Sequence, residues 1–145
     1  MDSGLPDKLD LRVVTPTGEL VNQTVDELVA PGAEGYFGVR PGHTPLLATL
    51  GIGELSYRTG EQWQSLTCFS GFCEVLPGRV TVLAEIGERA EDIDLGRAEA
   101  ERDRALTRLR AISAEAEYAE ARSSYDRAVT RIGVARRKRD IGPGL

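Results

Sequence analysis

Two rhythms divide this chain. In the first, apolar residues recur at every second position. Leu9, Leu11 and Val13 alternate with Asp10, Arg12 and Val14 before Thr15-Pro16-Thr17-Gly18 turns the chain. Val25 to Val29 forms a second candidate strand, ended by Pro31-Gly32. Gly53 to Arg58 and Gln62 to Thr67 flank Thr59-Gly60-Glu61, while Phe72 to Leu76 and Arg79 to Ile86 flank Pro77-Gly78. Both arrangements read as hairpins. Val80, Val82, Ala84 and Ile86 keep the two-residue period of a sheet face. Many short strands between such turns predict an antiparallel sandwich or barrel. The long segment from Pro31 to Pro45 is either a functional loop or a few tight turns around one short strand, Tyr36 to Arg40.

The second rhythm is helical. Asp92 or Asp94 suits a helix N-terminus. Leu95, Ala98, Ala105, Leu109 and Ile112 share one face once Arg102 is counted as the missing step. Ser113 is a candidate for the next cap, and Tyr118, Ala121, Tyr125, Ala128, Ile132 and Ala135 then repeat in steps of three and four. Two helices with a short break predict an antiparallel hairpin. Its seam is mostly alanine, so it hides little apolar surface, and Gly96 and Gly133 weaken its helices further. Such a hairpin is expected either to dock on the sandwich or to be held by a partner, and to be a moving part.

Composition sharpens the division. The 145 residues carry a net charge of −5. Residues 1–91 hold 13 acidic and 6 basic residues, a net −7, with 12 of the 16 Gly and 6 of the 7 Pro. Residues 92–145 hold 10 acidic and 12 basic residues, a net +2. The expected architecture is therefore α+β in the order β then α: a sandwich over 1–91 and a helical hairpin over 92–145. The acidic balance argues against a nucleic-acid partner. No apolar run is long enough to span a membrane, and the first residues lack the regions of a signal peptide, so a soluble chain without direct membrane insertion is expected.

Several chemistries have no residues to run on. No Walker phosphate loop exists, and Gly51-Ile52-Gly53 lacks the rest of a dinucleotide fingerprint. His43 is the only histidine and no Gly-x-Ser-x-Gly elbow accompanies it, so no catalytic residue is assigned. Cys68 and Cys73 have neither redox nor metal spacing and read as small buried thiols, so no metal site is expected. Residue chemistry alone favours a binding or regulatory module over an enzyme.

Gly35-Tyr-Phe-Gly-Val-Arg-Pro-Gly-His-Thr-Pro-Leu-Leu47, followed by Gly53-Glu54-Leu55, resembles the signature loop of the epsilon subunit of bacterial F-type ATP synthase. Ser70-Gly-Phe-Cys-Glu-Val75, Val80 to Ala84, and Ile93-Asp-Leu-Gly-Arg-Ala98 are similar to that family's next landmarks, in the same order, from about residue 8 to residue 137. The resemblance implies a sandwich of about ten strands followed by two helices. It implies a non-catalytic subunit of the central stalk, bound to the gamma subunit and resting on the c-ring. Such a subunit is peripheral, on the cytoplasmic face of the bacterial plasma membrane. It couples the catalytic head to proton flow and inhibits ATP hydrolysis through its helices.

The resemblance also directs attention to particular residues. Tyr36 is expected to face the c-ring and His43 the gamma subunit. In an opened hairpin, Arg131, Arg136, Arg137, Lys138 and Arg139 would reach acidic segments of the catalytic beta subunits, within the alpha and beta head. In a folded hairpin, some family members bind ATP through an Ile-Asp-x-x-Arg-Ala motif, which stands here as Ile93, Asp94, Arg97 and Ala98. Glu88, Arg104, Arg127 and Arg131 match the remaining residues of that site. Arg97 and Arg104 lie two turns apart and Arg127 and Arg131 one turn apart, so each pair shares a helix face. Asp94 is expected to orient Arg97 or to accept from a ribose or base. No cofactor is required; ATP would be a regulatory ligand. Two alternatives stand beside this reading: these arginines serve surface helix pairs such as Glu101 with Arg104, and the chain is a stand-alone sandwich adaptor that dimerises through its hairpin.

Overall fold

The computed structural model describes residues 4–112 and 114–137. Seven strands come first: β1 (Leu9–Thr15), β2 (Gly18–Val25), β3 (Glu27–Gly32), β4 (Gly35–Val39), β5 (Leu46–Thr59), β6 (Gln62–Leu76) and β7 (Arg79–Arg89). A 3-10 turn at Ala90–Asp92 leads to α1 (Leu95–Ala111) and α2 (Glu115–Arg136). The strands form one sheet in the order β2-β1-β7-β6-β5-β3-β4. The sheet folds over on itself, because β2 touches β5 although three strands separate them in that order. Leu11, Val25, Leu28, Val39, Leu55, Val75 and Val82, drawn from all seven strands, therefore share one core.

The fold has a sharp cause in β6. Ser70 has φ +64° and Gly71 φ +127°, so the strand bends in its middle. A Cβ on Gly71 would lie 1.9 Å from the Leu83 carbonyl oxygen, so only glycine allows this approach to β7. At 14 and 15 residues, β5 and β6 are far longer than an ordinary strand. They pair from Leu46 with Val75 through Thr59 with Gln62; the first expected hairpin is the end of this pair and the second joins β6 to β7.

Three expectations about the sheet change. The described residues form seven strands where the resemblance implied about ten, because β5 and β6 run unbroken. Val25 to Val29 is not one strand: Asp26 separates β2 from β3, and its backbone N–H donates to the Arg58 carbonyl at 2.8 Å. β2 carries no alternation to betray it, since among its residues only Val21 and Val25 are buried. The sheet is also not wholly antiparallel. β1 runs parallel to β7, with Leu11 opposite Val80, while the other five pairings are antiparallel. The segment from Pro31 to Pro45 contains one short strand, β4, ending at Val39.

The hairpin is docked. α2 packs against β5 and β6, and α1 packs against α2. Ala98, Ala105, Ala121, Ala128, Ile132 and Val134 are buried, so alanine does form the seam. Close helix approach through small side chains leaves little apolar area to hold the hairpin. Tyr118 departs from the expected seam: residues 114–120 are all exposed, because the start of α2 projects past its packing partners. Asp94 caps α1, whereas the cap position of α2 is Ala114, with no side-chain cap; Ser113 lies outside the described residues.

Candidate functional site

The junction of sandwich and hairpin collects the charged residues. β7 ends just after Glu88, and the 3-10 turn swings the chain so that α1 starts beside it. The Asp94 carboxylate accepts the Arg97 backbone N–H at 3.1 Å, satisfying one of the open donors of the first turn. Asp94 therefore serves the backbone and does not orient the Arg97 guanidinium, which donates to Glu101 at 3.0 Å instead. Arg97, Glu101, Arg104 and Arg108 recur in steps of four, three and four along α1, so they form one face. Ser124, Arg127 and Arg131 answer them from α2.

Arg131 ties three elements together. Its Nε lies 2.9 and 3.2 Å from the two Glu88 carboxylate oxygens, and its Nη1 lies 3.6 Å from Glu101. Its guanidinium also sits 5.0 Å from the Phe69 ring centroid, a cation–π distance. Glu88 in turn accepts from the Thr67 hydroxyl at 3.0 Å. Two cavities open on either side of this knot. The smaller, about 230 Å³, is lined by Glu88, Asp92, Ile93, Asp94, Arg97, Ala98, Glu101 and Arg131. The larger, about 370 Å³, is lined by Glu101, Arg104, Ala105, Arg108, Ser124, Arg127 and Arg131. Glu101 and Arg131 belong to both.

All eight residues of the expected nucleotide site line these cavities. Glu88, Ile93, Asp94, Arg97 and Ala98 fall in the smaller, Arg104 and Arg127 in the larger, and Arg131 in both. The charge divides unevenly between them. The smaller holds four carboxylates and two guanidiniums; the larger holds four guanidiniums and one carboxylate. The expected surface pair of Glu101 with Arg104 does not form, because Glu101 binds Arg97 and Arg131. Asp92, Glu101, Arg108 and Ser124 are lining residues that the sequence reading missed. The four-three-four spacing of charged residues on α1 is the signal that could have found Glu101 and Arg108.

The basic end of α2 is occupied by the chain's own carboxylates. Arg136 donates to Glu99 at 3.1 Å, and the Arg137 guanidinium grips Glu54 on β5, with Nη2 2.7 Å from Oε2. Both members of the Glu54–Arg137 pair are mostly buried. Lys138 and Arg139 lie outside the described residues. Tyr36 is exposed on β4, and its hydroxyl accepts the Glu54 backbone N–H at 2.9 Å. His43 is half-buried in the turn after β4: its backbone N–H donates to the Arg40 carbonyl at 3.1 Å, and its ring Nδ1 donates to the Thr44 carbonyl. The structure does not bring Tyr36 and His43 into the arginine cluster. A further feature escaped the sequence. Leu47, Phe72 and Leu83 are 73%, 56% and 53% exposed and line one shallow apolar groove on the outer face of the sheet. A patch of that kind on a sheet marks a contact surface.

Among the described residues no helix is long and apolar enough to cross a membrane. Burial pushes the Cys68 and Cys73 thiols up to about 12. Neither is a nucleophile under ordinary conditions.

Comparison with known proteins gives a consistent result. Residues 8–90 match the family model described as ATP synthase, Delta/Epsilon chain, beta-sandwich domain. Residues 91–136 match ATP synthase, Delta/Epsilon chain, long alpha-helix domain. The chain is 47% identical over 131 residues to ATP synthase epsilon chain 2 of Syntrophotalea carbinolica, covering 90% of this chain and 95% of that one. It is 43% identical over 134 residues to the ATP synthase epsilon chain of Solibacter usitatus, covering 92% and 100%. Among solved structures, a chain of the Euglena gracilis mitochondrial ATP synthase OSCP/F1/c-ring assembly shares the fold, with TM-score 0.77, 19% identity and coverage of 90% and 82%. With sandwich and helices both matched, and identity well above 30% along nearly the whole length, this chain belongs to the ATP synthase delta/epsilon chain family.

Proposed function

We propose that this protein is a non-catalytic epsilon-type subunit of the central stalk of a proton-translocating ATP synthase. On this reading residues 1–91 dock on the rotor and residues 92–145 regulate ATP hydrolysis. The relatives' names and the likeness to chains of F1/c-ring assemblies support the placement. The apolar groove of Leu47, Phe72 and Leu83 supports a docking face for the gamma subunit, with His43 on the gamma side and Tyr36 toward the c-ring. The subunit stays peripheral to the bacterial plasma membrane, on its cytoplasmic face.

The observation that carries the regulatory reading is the closed hairpin itself. Arg131, Arg136 and Arg137 are all engaged by carboxylates of this chain. While closed, these arginines are not available to acidic segments of the catalytic subunits. Opening exchanges internal carboxylates for external ones, so the two states differ by little, and a ligand that prefers one shifts the balance. ATP is that ligand. Guanidinium forks from both helices suit phosphate oxygens, and a molecule held between α1 and α2 stabilises the closed form by linkage.

Two measurements test this. ATP hydrolysis by the assembled complex is compared with and without residues 92–145; truncation is expected to raise hydrolysis at low ATP, and an unchanged rate defeats the inhibitory role. Calorimetry of the subunit with ATP is expected to give saturable heat that Arg127→Ala with Arg131→Ala abolishes. No heat at millimolar ATP removes the ligand.

A further inference from the structure

A third cavity, about 320 Å³, opens where α2 ends against the sandwich. Trp63 and Gln64 on β6, Ala90 and Glu91 after β7, and Val134 and Arg137 at the end of α2 line it. Its volume is well beyond the roughly 10–15 Å³ that one water needs. Trp63, the only tryptophan of the chain, is half-buried there. Glu54, Glu88, Glu99 and Glu101 each pair with an arginine of this chain. Glu91 is exposed and pairs with no cation among the described residues. An indole wall beside an unpaired carboxylate fits a segment that carries cations next to an apolar side chain.

Such a segment begins at the rim of the cavity itself. Arg137, a lining residue, has φ −70° and ψ 130°, so the chain leaves α2 in extended form. Lys138-Arg139-Asp140-Ile141 follow it and lie outside the described residues. They read as two cations and then the first large apolar side chain after Val134. Ile141 stands four positions beyond Arg137, at most roughly 14 Å of extended chain. A tether that short supplies an effective concentration on the order of millimolar. We infer that residues 138–141 dock in this cavity while the hairpin is closed, with Ile141 against Trp63 and with Lys138 and Arg139 beside Glu91. The docked segment covers the mostly buried Glu54–Arg137 pair from water and adds to the hold on the end of α2. Neither ATP nor a catalytic subunit is needed for this contact.

The single tryptophan makes the contact visible. Fluorescence of the full chain compares wild type with Ile141→Ser, Ile141→Leu, Leu145→Ser, and Lys138→Gln combined with Arg139→Gln. Ile141→Ser is expected to lower the ratio of docked to free segment about tenfold, as loss of one buried aliphatic side chain predicts. Trp63 emission then moves to longer wavelength and acrylamide quenches it faster. Ile141→Leu restores both, and Leu145→Ser behaves as wild type. The doubly neutralised variant shifts in the same direction as Ile141→Ser, by less. Amide exchange across α1 stays at the wild-type rate, because the hairpin remains closed. Unchanged emission in Ile141→Ser, or an equal shift in Leu145→Ser, overturns the inference. A shift joined by faster exchange throughout α1 reports an opened hairpin rather than a freed segment and overturns it too. Wild-type emission that depends on protein concentration, alongside a dimer in sedimentation, assigns the cavity to a second copy of the chain and overturns docking within one.

Discussion

Glu54 does two jobs that meet at one residue. Its backbone N–H is held by the Tyr36 hydroxyl, and its carboxylate holds Arg137. Gly53 makes the first contact possible, because a Cβ there would lie 2.5 Å from the Tyr36 hydroxyl and 2.6 Å from Pro31 Cβ. Gly53→Ala should therefore destabilise the protein by about 1–3 kcal/mol in chemical denaturation. Adding Tyr36→Phe should not rescue it, since Pro31 remains. The two cysteines give a second test. Their thiols are pushed from 9.0 to about 12, so the folded state holds their protons more tightly than the unfolded state. Their contribution to stability is complete below pH 9 and is lost as pH rises toward about 12. The alkaline fall in stability should be shallower in Cys68→Ala with Cys73→Ala than in wild type. Burial of the two thiols was legible from their spacing and type; the contact between Gly53 and Tyr36 was not, because 17 positions separate them and only the pairing of β3 with both β4 and β5 brings them together.

At the scale of elements, α2 is held mainly at its C-terminal half. Its start is exposed and uncapped, while Val134 and Arg137 face the sandwich side. Glu54→Gln should release Arg137 and speed amide exchange in the last two turns of α2, with β5 and β6 unchanged. Removing one partner of this mostly buried pair costs about 1–3 kcal/mol. Gly133 offers the opposite change. A Cβ there meets only Glu54 Oε2, at an ordinary 3.8 Å. Gly133→Ala should stabilise α2 by about 0.5–1 kcal/mol and slow the same exchange. The alanine seam was readable from its three-and-four spacing. Val134 was not, because it lies off that spacing and is buried by the sheet rather than by α1. β2 was missed for a related reason: only two of its residues are fully buried, four positions apart.

At the scale of the whole molecule, two ion pairs, Arg131 with Glu88 and Arg137 with Glu54, join the hairpin to the sandwich. Raising salt from 0.1 to 1 M shortens the screening length from about 10 to about 3 Å. Fluorescence transfer between probes on β1 and on the projecting start of α2 should report opening over that range. Near-ultraviolet signals from the sandwich core should stay constant, and a hairpin indifferent to salt would put its hold in the alanine seam instead. The apolar groove belongs to this scale too. On the proposed docking to the gamma subunit, Phe72→Glu should abolish that association while leaving the melting temperature of the isolated chain within a few degrees, because the side chain is already half in water.

The sequence by itself determined the division of the chain. Alternation, turn residues and the shift from net −7 to net +2 all mark the passage from sheet to helices, because secondary-structure period and local charge are written along the chain. It also carried most residues of the arginine cluster, through the resemblance to a known family; helix spacing, a local property, added that Arg97 with Arg104 and Arg127 with Arg131 each share a face. Tertiary structure decided what those residues touch. Arg131 could have met water, Glu101 or a partner; packing of α2 on β5 and β6 set it against Glu88, 43 positions away. The parallel pairing of β1 with β7, the bend at Ser70 and Gly71, and the split of one cluster into an acidic and a basic cavity are likewise products of folding, because each depends on groups that the chain brings together only at long range.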